Sequence, residues 1–198
     1  MHDPLTLSAY DRDPQRFADD WAGQPPPIDL QALVRRYFTT GPTADIGCGS
    51  GRDAAWLAAE GFPTTGFDAS AGLLAEAARR HPDVTFRQAE LPDLAGIAEG
   101  SFTNVLCETV IMHLPREAIA PAVARMVALL APGGVLYLSW RVTEAEDRRD
   151  EHGRLYTAFD PALVQAALGD TRLLFEEEVG SLSSGKLIRR VIAQKTER

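Results

Sequence analysis

Cysteine is almost absent from this 198-residue chain, which has only Cys48 and Cys107. Neither stands at a metal-binding or dithiol spacing, so no zinc site or redox pair is expected, and reduced thiols fit a cytoplasmic setting. His2, His81 and His152 are isolated from other candidate ligands, and no metal is expected. Cationic excess is also missing. Lys and Arg number 20 against 28 Asp and Glu, a formal net charge of −8. That balance argues against broad nucleic-acid or anionic-membrane surfaces, which draw on clustered cations. No stretch reaches transmembrane length, and the first residues lack the cationic start and apolar core of a secretion signal. Internal repeats and low-complexity tracts are absent. The length suits one α/β unit and leaves little room for a second core.

What is present concentrates in Ala44-Asp45-Ile46-Gly47-Cys48-Gly49-Ser50-Gly51, with Asp68 seventeen residues further on. Glycines at alternate positions let a loop approach a ligand closely, because no Cβ blocks it and positive φ is accessible. The loop follows an extended apolar run and precedes a helix-like one, so it lies where a strand turns into a helix. Open α/β sheets bind nucleotides there. The dinucleotide fingerprint G-x-G-x-x-G fails, because its last position is Arg52.

The rest of the chain alternates. Tyr10, Phe17 and Trp21 are spaced by seven and four, one helical face, within a segment that Pro25-Pro26-Pro27 ends. A second amphipathic run covers 28–38. Strands are predicted over 43–46, 63–67, 84–88, 102–107, 135–140, 172–179 and 187–193, and helices over 53–60, 71–80, 116–130 and 161–168. Strand–helix alternation implies parallel strands with crossover helices on both faces. The last two strands lack a helix between them and should form an antiparallel hairpin. Residues 1–40 are read as a helical cap and 41–198 as one doubly wound, seven-stranded, mostly parallel α/β domain. Pro115 and Pro161 mark first helical positions, with Asp160 as an N-cap.

Asp45-x-Gly-x-Gly-x-Gly, with an acid ending the next strand at Gly66-Phe67-Asp68, resembles the S-adenosylmethionine-binding signature of class I methyltransferases. The Ala131-Pro132-Gly133-Gly134 turn and the seven-strand order resemble the same family over residues 40–194. Gly51-Arg52-Asp53-Ala54 resembles its small-molecule members. The resemblance implies S-adenosyl-L-methionine as cofactor, held by Asp45, Gly47, Cys48, Gly49, Gly51, Arg52, Asp68 and Ala69, with Asp68 on both ribose hydroxyls. It implies Glu90 and Leu91 at the adenine and Glu108 near the reacting methyl. No Asn/Asp-Pro-Pro-Tyr/Phe motif and no basic appendage is present, which disfavours amide- and base-methylating branches and points to a small-molecule acceptor at O, N or S.

His113 is a candidate general base, since imidazole accepts protons near neutrality; packing against the adenosine or helix capping is its alternative. Glu108 is a second candidate, for touching the cofactor or orienting the nucleophile. Tyr10, Phe17 and Trp21 are candidates for a lid over the sulfonium, or for plain hydrophobic docking. Trp140, Arg141, Arg154 and Tyr156 are candidates for an acceptor pocket for a planar or anionic molecule. The charged run 144–151 reads as a solvated loop. An idle cofactor-binding module and, less favoured, a nicotinamide oxidoreductase remain rival readings.

Overall fold

The computed structural model describes residues 3–143 and 145–197. Three helices come first: α1 (Pro4–Arg12), α2 (Pro14–Ala22) and α3 (Ile28–Tyr37). The expected single helix before the triple proline is therefore two. Asp13 leaves helical geometry at φ −146°, and its carboxylate accepts the Arg16 N–H while Pro14 occupies the first helical position. A proline there has no N–H to leave unsatisfied, so Asp-Pro starts a helix. The aromatic face survives the break. Tyr10 and Phe17 rings lie 5.0 Å apart, and Trp21 lies 6.0 Å from each.

The alternating part then runs β1 (Thr43–Ile46), α4 (Arg52–Ala59), β2 (Thr64–Asp68), α5 (Ala71–Arg80), β3 (Thr85–Gln88) and β4 (Phe102–Cys107). It continues through a single 3₁₀ turn (Ile111–His113), α6 (Arg116–Leu129), β5 (Leu130–Arg141), β6 (Arg148–Arg149), β7 (Leu155–Tyr156), α7 (Ala162–Ala167), β8 (Thr171–Gly180) and β9 (Leu187–Lys195). The main sheet has order β3-β2-β1-β4-β5-β9-β8. Its first five strands are parallel, and β9 pairs antiparallel with both β5 and β8. Pro115 and Pro161 sit one residue before the first helical positions, and the Asp160 carboxylate accepts the Ala162 N–H.

Side-chain parity divides the core. Val105 and Cys107 of β4, Leu136, Leu138 and Trp140 of β5, and Val191 of β9 pack with Ile119, Val123 and Met126 of α6. Leu106, Val135, Tyr137 and Ile192 point the other way, onto Leu30 and Val34 of α3 and Leu57 of α4. Alternation within one strand thus loads both faces, as a sandwiched parallel sheet requires. Each fully buried leucine or isoleucine contributes about 1.5–3 kcal/mol relative to exposure.

Residue 144 lies outside the described residues; within the charged run, 145–149 and 151 are exposed, as a solvated segment should be, but it also carries a short strand. Arg148 and Arg149 pair with Tyr156 and Leu155 in a two-stranded ladder, and the Arg149 guanidinium donates to both Asp3 oxygens at 2.8 Å. The connection after β3 carries no helix, and Arg125 of α6 holds it by donating to the carbonyls of Asp93, Leu94 and Ile97. Among the described residues no helix is long and apolar enough to cross a membrane.

Candidate active site

From β1 the strand order runs outward to β2 and β3 on one side and to β4 and β5 on the other. The loops at the carboxyl ends of β1 and β4 must therefore diverge, leaving a crevice. A cavity of about 490 Å³ fills it. That volume lies within the range of small-molecule and cofactor sites. Helices α1 and α2 roof it.

Its floor is the glycine loop. Gly47, Gly49 and Gly51 have φ of +73°, +54° and +80°, a region that L residues with a Cβ enter at a cost. A Cβ at Gly47 would collide with Val110, and one at Gly49 would lie 2.8 Å from the Trp21 ring. The loop is held by its own neighbours: Gly47 and Cys48 N–H both donate to the Phe67 carbonyl, at 2.7 and 3.0 Å. For a ligand, Gly47 thus has its carbonyl to offer rather than its N–H.

Asp68 ends β2 beside that loop. One carboxylate oxygen accepts the Gly49 N–H at 2.8 Å and the other the Ser70 N–H at 2.9 Å. These bonds fix the carboxylate plane and leave each oxygen a second lone pair. Burial pushes the Asp68 pKa up, opposed by those N–H bonds.

Most residues expected at a cofactor meet in this cavity. Gly47, Cys48, Gly49, Arg52, Asp68, Ala69, Glu90, Leu91 and Glu108 all line it. Asp45 and Gly51 do not. Asp45 is buried beneath the loop with Oδ2 unpartnered, and burial together with nearby Asp53 and Asp68 raises its pKa well above the ordinary range. Gly51 packs under the loop, where a Cβ would press on Phe86. Arg52 bends onto Asp53, with bonds of 3.0 and 3.2 Å.

At the end of β4, Glu108 accepts the Ser139 hydroxyl at 2.5 Å, and burial raises its pKa. Thr109 follows at φ +53°. A β-branched residue there is strained by roughly 1–3 kcal/mol. Its N–H donates to the Ser139 carbonyl and hydroxyl oxygens, which holds the turn that carries Glu108 and Val110 into the cavity.

His113, on the 3₁₀ turn, has both ring nitrogens engaged. Nδ1 lies 2.5 Å from the Leu155 carbonyl and Nε2 3.2 Å from the Tyr10 hydroxyl. A carbonyl only accepts, so the proton sits on Nδ1, and Nε2 accepts from Tyr10. Arg154 completes the chain by donating to the Tyr10 oxygen at 3.3 Å. Burial, with Arg154 and Arg141 nearby, lowers the His113 pKa to about 4. Burial pushes Tyr10 up to about 12. Both are neutral at pH 7.

Of the expected acceptor residues, Arg141, Arg154 and Tyr156 line the cavity, as do Tyr10 and Trp21 of the expected lid, whereas Phe17 is buried and does not. Trp140 does not. It is buried against Phe159, ring centroids 5.7 Å apart, in the core beside α6. Side chains alternate along β5, so Trp140 and Arg141 cannot share a face.

The β8–β9 turn was not anticipated in the site. Ser181, Ser183, Ser184 and Lys186 reach the cavity wall, because the turn folds back through the Ser181 N–H to Lys186 carbonyl bond. Thr6 also lines the cavity; its hydroxyl donates to Asp3 and accepts the Leu155 N–H, tying α1 to the far wall. Nothing in the hairpin sequence marked it as more than a turn. For Asp3 and Thr6 the signal was an N-cap pattern before Pro4.

Residues 44–134 match the family described as methyltransferase domain. That match covers just under half of the chain, and the seven-stranded sheet has the class I methyltransferase fold. The chain is 37% identical over 125 residues to trans-aconitate 2-methyltransferase of Methylobacterium nodulans, a match covering 61% of this chain and 45% of that protein. It is 38% identical over 120 residues to ubiquinone biosynthesis O-methyltransferase of Xanthomonas oryzae pv. oryzae, covering 57% and 48%. The chain therefore spans about half the length of the curated relatives it matches. In fold it is similar to 1,6-didemethyltoxoflavin-N1-methyltransferase of Burkholderia thailandensis, solved with 1,6-didemethyltoxoflavin and S-adenosylhomocysteine. The TM-score is 0.77 at 23% identity, over 97% of this chain and 88% of that one.

Proposed function

We propose that this protein transfers a methyl group from S-adenosylmethionine to a small-molecule nucleophile and releases S-adenosylhomocysteine. One observation carries the reading. The Asp68 carboxylate, its plane fixed by the Gly49 and Ser70 N–H groups, faces the same cavity as the glycine loop, Leu91, Glu108 and the aromatic roof. That arrangement suits a nucleoside whose ribose diol meets one carboxylate, whose base lies toward Glu90 and Leu91, and whose charged chain follows Gly47 to Arg52. When bound, the cofactor supplies an electrophilic methyl on a sulfonium.

The chain's own residues then align and enclose. Tyr10 and Trp21 put aromatic faces over the cavity, and such faces attract a cation by about 0.5–2 kcal/mol. The roof is fastened on both sides. Asp11 accepts the Ser70 hydroxyl at 2.5 Å and the Gly72 N–H at 3.2 Å, and Asp3 pairs with Arg149. Holding acceptor and methyl in line supports up to about 7–11 kcal/mol of rate enhancement in favourable systems. The methyltransferase relatives named above act on small molecules, which supports an acceptor of that class.

Calorimetry with S-adenosylhomocysteine tests the reading directly. Saturable one-to-one binding, tenfold or more weaker in Asp68→Ala, is the expected result. No heat with either the methyl donor or its demethylated product would overturn it.

A further inference from the structure

Of the four cations that line the cavity wall, among the described residues two are held in ion pairs and two are not. Arg52 is paired with Asp53, Arg154 with Asp150 at 2.7 Å, and Asp3 with Arg149. Arg141 and Lys186 line the same cavity, and among the described residues neither has a carboxylate partner. The Arg141 side chain rests on the ring of Tyr156, 5.0 Å from guanidinium carbon to centroid. That contact engages no N–H, and none of its five donors is hydrogen-bonded among the described residues. Arg148 and Arg154 approach the same ring at 5.8 and 5.9 Å, so three guanidiniums crowd one buried aromatic. A partly buried cation without a counter-charge is costly, and a planar carboxylate matches a guanidinium in a two-bond fork.

Each group able to remove a proton near this end of the cavity already has a hydrogen-bond or ion-pair partner. His113 receives the Tyr10 hydroxyl at Nε2 and donates from Nδ1. Glu108 receives the Ser139 hydroxyl, and Asp53 and Asp150 hold arginines. Glu90 follows β3, four strands from Arg141 on β5, which at strand spacing is about 19 Å away. An acceptor that must lose a proton would compete here with those partners for each base. An acceptor oxygen that is already an anion needs none.

Building on the function proposed above, we propose that the acceptor is a small acid with two or more carboxylates, one anchored by Arg141 with Lys186 beside it and another methylated as its anion. In that step a carboxylate oxygen lone pair forms the O–CH₃ bond while the methyl–sulfur bond breaks and its electron pair stays on sulfur. The carboxylate's negative charge and the sulfonium's positive charge cancel, and no proton moves. The product is a methyl ester with one negative charge fewer than the substrate.

The test uses the full chain and methyl-labelled S-adenosylmethionine. Acceptors are citrate, glutarate and succinate, with catechol and tyramine as neutral and amine controls, plus a bacterial extract of molecules below about 1 kDa. The expected product elutes earlier than its substrate from an anion exchanger and releases labelled methanol in mild alkali. Arg141→Gln should raise KM for the acid at least tenfold and change kcat far less. Calorimetry of the acid against protein saturated with S-adenosylhomocysteine should weaken by the same factor. Hydrogen bonds to charged groups at about 1.5–3 kcal/mol each predict such a loss. Lys186→Gln, on an exposed hairpin, should raise KM severalfold and stands in if Arg141→Gln fails to fold. Label that resists alkali, or no alkali-labile label from acids or extract, overturns the proposal. So does an acid KM unmoved by both substitutions. S-adenosylhomocysteine binding with any of those outcomes leaves the methyl-transfer reading standing; its absence brings down that reading first.

Discussion

The hydroxyl of Tyr10 meets Nε2 of His113 at 3.2 Å across 103 residues of sequence. The roof helix and the 3₁₀ turn are thereby one hydrogen-bonded unit, and the imidazole in it is held neutral, with its pKa lowered to about 4 from 6.5. An unfolded chain binds a proton at His113 as pH falls through about 6.5, whereas the folded chain resists until about 4. Stability is therefore lost in that window as pH falls. At 1.36 kcal/mol per pH unit the loss is roughly 2–3 kcal/mol by pH 4.5. His113→Gln removes the titration. Urea melts should show the stability advantage of the wild type over His113→Gln shrinking by that amount between pH 7 and 4.5. An advantage independent of pH would show that His113 is not buried neutral.

Asp68 anchors the glycine loop and, in the function proposed, takes the ribose diol, and substitutions separate the two. Asp68→Asn keeps an oxygen to accept one N–H but replaces the second acceptor with donors, so one of the Gly49 or Ser70 contacts at 2.8 and 2.9 Å is lost. Asp68→Ala loses both. With charged hydrogen bonds at about 1.5–3 kcal/mol each, S-adenosylhomocysteine affinity should fall about tenfold in the asparagine variant and further in the alanine one. Equal affinities in calorimetry would remove the ribose-diol role.

The glycine loop and Asp68 were legible because their chemistry is local: absent Cβ atoms and a strand-end acid need no long-range information. Trp140 was misplaced because its direction depends on strand parity, fixed only when β5 pairs with β9 and Trp140 falls opposite Arg189. Adjacent Trp140 and Arg141 looked like one constellation and are on opposite faces. The β8–β9 turn escaped for a related reason. Asp29 of α3 receives Arg190 at 2.7 Å and is also bonded by the Leu182 backbone, a tie that spans most of the chain. The break at Asp13-Pro14, in contrast, was readable. A capping acid before a proline marks a helix start, and the aromatic spacing drew attention past it.

Gly49 ties the floor to the roof. Its φ of +54° and the Trp21 ring 2.8 Å from a would-be Cβ predict that Gly49→Ala both strains the backbone and displaces the ring. The left-handed conformation alone costs about 1–2 kcal/mol. Urea midpoints should report at least that loss. Trp21 fluorescence should shift red, and S-adenosylhomocysteine should dissociate faster. Unchanged tryptophan emission would mean the loop absorbs the methyl group without moving the roof.

The outermost fastening of the roof is the pair Asp3–Arg149, two parallel bonds of 2.8 Å between a buried carboxylate and a guanidinium 39% exposed. Solvent reaches the arginine, so the pair contributes less than a buried fork, on the order of 1 kcal/mol. Asp3 also caps α1 through the Thr6 N–H at 2.9 Å, and losing such a cap costs about 1 kcal/mol. Arg149→Ala removes only the first, Asp3→Ala both. Amide exchange in α1 should therefore speed up about fivefold in Arg149→Ala and at least tenfold in Asp3→Ala, while α6 amides stay protected. Because Arg149 holds the Asp3 pKa well below the carboxylate range, this fastening persists at neutral pH and loosens as acid protonates Asp3. Exchange in α1 that ignores both substitutions would place the closure of the roof in its aromatic contacts instead.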